Sequence, residues 1–143
     1  MTTSVTAAEI VALLGLEPHP EGGYYRQTFA DEAAGARPYS TAIYYLLEGG
    51  PAGRWHRVDS AEVWHYYAGA PLRLTISPDG RTSTEQILGQ DVFDGQRPQV
   101  VVPRGHWQSA QSLGNWTLVG CTVAPGFQFE HFEMAEEAWQ PGG

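Results

Sequence analysis

Cysteine is nearly absent: Cys121 stands alone in 143 residues, so no internal disulfide can form. It lies within the apolar run WTLVGCTVA and reads as a small core residue on a buried strand. Lysine is missing altogether; the 8 basic residues are all arginine and face 16 acidic ones, a net charge of −8. A field of that sign repels phosphate polymers and excludes nucleic acid as a partner. It leaves small anions open, since one arginine facing a pocket can clamp a phosphate or carboxylate bidentately. No stretch of about 18 apolar residues occurs, and no basic segment leads into an apolar one at the N-terminus, which argues against a membrane span and a secretion signal. The expectation is a soluble, cytoplasmic protein.

What is present points to one β-rich domain over residues 1–143. The chain is 42% hydrophobic and 12% aromatic, with Gly 17 and Pro 10 spread along it, a composition of globular, turn-rich folds. Residues 4–14 place Ile10, Val11, Leu13 and Leu14 on one helical face, with Ser4 or Thr6 as N-cap and Gly15 as stop. The segment LEPHPEGGYYRQTF reads as a turn leading into a strand from Tyr24, and residues 30–38 as a surface loop. From Ser40 onward about nine short β-rich segments recur between Gly, Pro and Asp, ending with FQFEHFEM. Asp79-Gly80 marks the tip of a hairpin. This is an all-β pattern, a sandwich or barrel over about residues 20–134, followed by an acidic tail, 135–143, that reads as one helical turn and then frayed residues.

Two segments carry the chemistry: GRWHRVDSAEVWHYYAG at residues 53–69 and PRGHWQ at residues 103–108. Their spacing resembles the two cupin motifs, and the resemblance implies a double-stranded β-helix, the jelly-roll barrel. His56, Glu62 and Gly69 fall on the first motif; Pro103 and Gly105 fall on the second. Val58 and Gln108 stand where cupins carry further histidines. The resemblance implies a metal held by three imidazoles and one carboxylate, of which this chain keeps only His56 and Glu62. No cofactor is therefore expected; a divalent metal, if bound, would need His56, Glu62, Gln108 and His106. Nearly the whole chain, from Ile10 to Ala135, is similar to a family of small cupins related to dTDP-sugar 3,5-epimerases. The shared segments are EGGYYR (Glu21–Arg26), STAIYYLL (Ser40–Leu47), Trp55–Gly69, VVPRGHWQSA (Val101–Ala110) and Val123–Phe132. Those epimerases work without metal, using a barrel histidine as base.

His56 and Glu62 are the expected catalytic pair, the carboxylate raising the imidazole pKa and orienting the ring. If Glu62 points inward, period-2 alternation sends Trp64 and Tyr66 inward as cavity walls and turns Val63, His65 and Tyr67 outward. Gln108 and His106 are candidate substrate contacts, as are Tyr24 and Arg26 at the barrel rim. His19 reads as a loop residue, and His131 lies close to the C-terminus. The leading functional expectation is a metal-independent enzyme of the epimerase, isomerase or dehydratase type, acting on a polar metabolite such as a sugar derivative bound in the barrel. Its rivals are a non-catalytic small-molecule-binding module and a metal-dependent cupin oxygenase or isomerase. A homodimer is expected, to cover exposed aromatics on the first strands.

Overall fold

The computed structural model describes residues 4–143. Its one helix, α1 (Ala7–Leu14), begins on a capping box: the Glu9 backbone N–H donates to Thr6 Oγ1, and the Glu9 carboxylate accepts from the Thr6 backbone. Gly15 ends it at φ 67°, in the left-handed region. Eleven strands follow: β1 (Glu17–Pro18), β2 (Tyr24–Ala30), β3 (Thr41–Glu48), β4 (His56–Val58), β5 (Ala61–Gly69), β6 (Leu72–Ser77), β7 (Thr84–Leu88), β8 (Gln99–Val102), β9 (Trp107–Ser112), β10 (Trp116–Ala124) and β11 (Phe132–Met134). They form two antiparallel sheets, a six-stranded one in the order β1-β2-β3-β10-β5-β8 and a five-stranded one in the order β11-β4-β9-β6-β7. The result is a jelly-roll barrel, one of the two architectures the strand pattern left open and the one the cupin resemblance implies.

Alternation along each strand builds the closed half of the barrel. Tyr45 and Leu47 of β3, Trp64 of β5, Leu72, Leu74 and Ile76 of β6, and Val100 and Val102 of β8 meet in one buried cluster. Each such side chain contributes about 1.5–3 kcal/mol on burial. The opposite face of β3 is claimed by α1: Ile10, Leu16 and Leu46 form a second cluster, flanked by Tyr24, Tyr44 and Trp116. Arg26 Nη1 donates to the Leu14 carbonyl, 3.1 Å away, at the end of that helix. Tyr24 and Arg26 therefore belong to the helix-covered face of β2, and Tyr25 and Gln27 take the inward positions, so neither candidate rim contact faces the barrel interior.

Two further readings are corrected. FQFEHFEM is one strand only over Phe132–Met134; Phe129–His131 form a 3-10 turn before it. The tail is pinned instead of frayed, because Trp139 packs on Trp107 at 4.8 Å and Trp55 at 6.0 Å between ring centroids, and Gly142 N–H donates to the Gly80 carbonyl. Among the described residues no helix is long and apolar enough to cross a membrane.

The loop between β1 and β2 packs closely against β3. Gly23 sits at φ 79°, and a Cβ added there would lie 2.6 Å from the Leu46 carbonyl oxygen. Gly23→Ala is expected to cost about 2 kcal/mol or more, combining left-handed strain with a backbone clash, as read from the shift in urea midpoint.

Candidate functional site

The cavity opens between the two sheets, with a volume of about 250 Å³. Strands β2, β3, β5 and β10 supply Gln27, Tyr45, Glu62 and Cys121; β4 supplies His56 and Val58; the β1-β2 loop supplies His19 and Glu21; and the segment before β11 supplies Phe127 and Phe129. Four buried or half-buried acid–base groups, His19, Glu21, His56 and Glu62, thus share one space.

The side chain bonded to His56 is Glu21. Its Oε2 lies 3.0 Å from His56 Nδ1, and both groups are at most 8% exposed. The Arg54 carbonyl lies 3.3 Å from the same nitrogen. With Nδ1 held on both, Nε2 is the nitrogen left for chemistry in the cavity. Burial by itself would lower the imidazole pKa, but the Glu21 carboxylate, with Glu62 behind it, holds it above the ordinary 6.5. Burial likewise works to raise Glu21, and the His56 charge and hydrogen bond overcome it, keeping this carboxyl below its ordinary value.

Glu62 stands in a different environment. Gln108 Nε2 donates to its Oε1 at 2.8 Å, and Gln108 Oε1 accepts from Trp64 Nε1 at 2.9 Å, so the amide is fixed at both ends. Burial raises the Glu62 carboxyl; His56 opposes this, and the charge on Glu21 adds to it, so the group stays above its ordinary range. Two carboxylates flank one imidazole with their pKa values driven apart, the arrangement that assigns one as permanent charge and the other as proton carrier. Burial also keeps the Cys121 thiol and the Tyr45 phenol protonated, each well above its ordinary value. Tyr45 Oη donates to the Gly22 carbonyl at 2.5 Å, tying the loop that carries Glu21 to β3.

The phenylalanine wall is held by polar braces. Arg37 Nε donates to the Gly126 carbonyl at 2.6 Å while its Nη2 binds Asp59 and Ser60, Ser60 Oγ donates to the Pro125 carbonyl at 2.8 Å, and Phe127 N–H donates to Thr41 Oγ1 at 2.9 Å. His131 belongs to this outer brace, 3.2 Å from Asp59, and does not reach the cavity.

Of the residues marked in the sequence, His56 and Glu62 line the cavity. Trp64 does not: at 1% exposure it forms the floor beneath Glu62. Tyr66 does not line the cavity either: it is half-buried against the core, with its hydroxyl donating to the Gly69 carbonyl. Gln108 acts behind Glu62, and His106 sits in the turn after Pro103, away from the cavity. Tyr24 and Arg26 are on the outer face, as described above. His65 also lies outside, 3.0 Å from Thr122 Oγ1. His19 and Glu21 were missed: both lie in the loop between β1 and β2, so no periodicity shows where they point. The available signal was an acidic residue directly before a glycine pair. His19 Nδ1 accepts from the Glu21 backbone N–H at 3.1 Å, and its ring meets Tyr25 at 4.7 Å; burial lowers its pKa despite Glu21.

The Cupin superfamily (DUF985) matches residues 8–135 of this chain. The chain belongs to that family. The cupin is similar to protein SO0799 from Shewanella oneidensis, at 34% identity and TM-score 0.88, over 93% of this chain and 86% of that one. It is also similar to a hypothetical protein from Leishmania major, at 30% identity and TM-score 0.83, over 94% and 90% of the two chains. Oxalate decarboxylase from Bacillus subtilis shares the fold alone, at 17% identity and TM-score 0.64, with 82% of this cupin covering 29% of that chain. No curated protein matches the sequence. The metal that cupins commonly hold does not fit these side chains. Val58 offers no donor, the Gln108 carbonyl is spent on Trp64, and His56 Nδ1 is spent on Glu21. Among the described residues no three His, Cys, Asp or Glu side chains form a metal-binding group.

Because Glu21 is lowered from 4.5 and His56 raised from 6.5, their pairing stabilises the fold fully between those two values. That stability fades as pH falls through the folded value of Glu21 and as pH rises through that of His56. Glu62 works in the opposite sense, costing stability as pH rises past its ordinary 4.5. Glu21→Gln should lower the His56 pKa by about one unit or more, and Glu62→Gln by less, measured by NMR titration of the ring protons. An equal or larger drop in the Glu62 variant would reverse this assignment of partners.

Proposed function

We propose that this cupin is a metal-independent acid–base enzyme of the epimerase, isomerase or dehydratase type, acting on a small polar metabolite in the barrel. The observation that carries the reading is the separation of the two carboxyls around His56: Glu21 stays charged and holds the ring, while Glu62 is raised toward the pH at which a carboxylate can both take and return a proton. In the shared first step, the Glu62 carboxylate removes a proton from carbon beside a substrate carbonyl. The protonated His56 gives its Nε2 proton to the carbonyl oxygen, and an enol results. As His56 recovers a proton from the enol oxygen, the Glu62 acid returns its proton to the neighbouring carbon to give an isomer, or solvent delivers a proton to the opposite face and the Glu62 proton passes to solvent to give an epimer; alternatively the Glu62 acid protonates a β-hydroxyl, which leaves as water. Gln108 steadies Glu62 through the hydrogen bond that Trp64 anchors. The resemblance of the sequence to cupins related to the metal-free sugar epimerases supports the same class.

Deuterium exchange tests the chemistry without knowledge of the natural product. In D2O the protein should accelerate C–H exchange beside the carbonyl of small hydroxyketones and aldoses, followed by proton NMR. Glu62→Gln should slow it by about 10²-fold or more, the usual share of a general base. A chelator should leave the exchange rate unchanged. Binding of such compounds with no exchange in any of them would favour the non-catalytic binding module.

A further inference from the structure

Arginine supplies all of this chain's permanently charged basic side chains, and no arginine lines the cavity. The arginines nearest to the site are committed elsewhere. Arg54 donates to the Ala135 carbonyl, Arg57 binds Glu133 at 3.0 Å with its guanidinium 4.5 Å over the Trp107 ring, and Arg37 braces Asp59 and Gly126. Inside the cavity the charge on His56 is balanced by Glu21, and Glu62 has an amide and a thiol as its hydrogen-bonding neighbours. A bound phosphate or carboxylate would meet two carboxyls, with one imidazole already paired to Glu21 to offset them.

The wall opposite is aromatic. Phe127, Phe129 and Phe132 lie with ring centroids 4.9–6.0 Å apart and planes 70–84° from one another, so that faces and edges alternate around a corner. Phe132 also lies 5.4 Å from the His56 ring. Phenyl rings that share a cavity with a carboxylate are surroundings that attract an ammonium group. The cavity volume of about 250 Å³ accommodates a single small ring.

We infer that the ligand of this cavity is a small cationic metabolite, one that sets an ammonium group against Glu62 and its apolar part against the phenylalanine corner, and that anionic metabolites are rejected. The inference rests on the acid–base reading and narrows its substrate class. It also links the two: a cation at Glu62 holds that group in the carboxylate form a general base requires.

Three probes of one shape separate the contributions: cyclohexylammonium, cyclohexanol and cyclohexanecarboxylate, titrated calorimetrically at neutral pH and fixed ionic strength. The ammonium is expected to bind about tenfold tighter than the alcohol, the scale of one charge-assisted contact, and the carboxylate weakest of the three. Glu62→Gln should erase the advantage of the ammonium over the alcohol, and Phe129→Leu should weaken both alike. A carboxylate that binds as well as the ammonium overturns the inference, as does a cation preference that survives in Glu62→Gln. These titrations read binding alone. Deuterium exchange without cation preference would sink this inference and leave the acid–base reading standing; cation preference without exchange would do the reverse.

Discussion

The Glu21–His56 pair is the constraint on which the rest of the site depends. Burying either ion alone costs several kcal/mol, and a buried pair is a poor way of stabilising a fold when apolar side chains of the same volume would serve as well. The barrel nevertheless surrounds this pair with devoted support: the glycine pair that lets the loop fold against β3, the Tyr45 hydroxyl on the Gly22 carbonyl, and the Arg54 carbonyl behind the ring. Each fixes the position of one partner. Their combined effect is an imidazole whose orientation is settled before any ligand arrives, which is the preorganisation an acid–base site requires.

Glu62 carries what the pair leaves over. With His56 turned to Glu21, the second carboxyl has an amide and a thiol for neighbours, and the charge on Glu21 discourages its own ionisation. The order of ionisation is thus set by connectivity: the group on the loop is charged first, and the group on the strand is held back.

The sequence made the barrel legible because its strands alternate cleanly and its turns are marked by Gly, Pro and Asp. Glu62 and His56 were legible for the same reason, lying on strands within a spaced motif. Trp64 and Tyr66 show the limit of alternation: it tells which face a residue takes but not how far along the barrel the cavity extends, and neither lines it. Tyr24 and Arg26 failed because an amphipathic helix claimed the outer face of β2, a tertiary fact that no local pattern carries. Glu21 and His19 lie in a loop, where direction depends on left-handed glycines and on contacts with a strand twenty residues away in the chain. Gln108 was read as a contact for substrate, yet both ends of its amide are already occupied.

The chain order of the cavity wall has a consequence for the protein's biogenesis. One side, His19 and Glu21, leaves the ribosome early; the facing side, Phe127 to Phe132, is made more than a hundred residues later. The strand β10, with which β3 and β5 both pair, is also made late, so the site is assembled only near the end of synthesis. It closes when the phenylalanine segment is laid across it and Arg37 fastens it at Gly126.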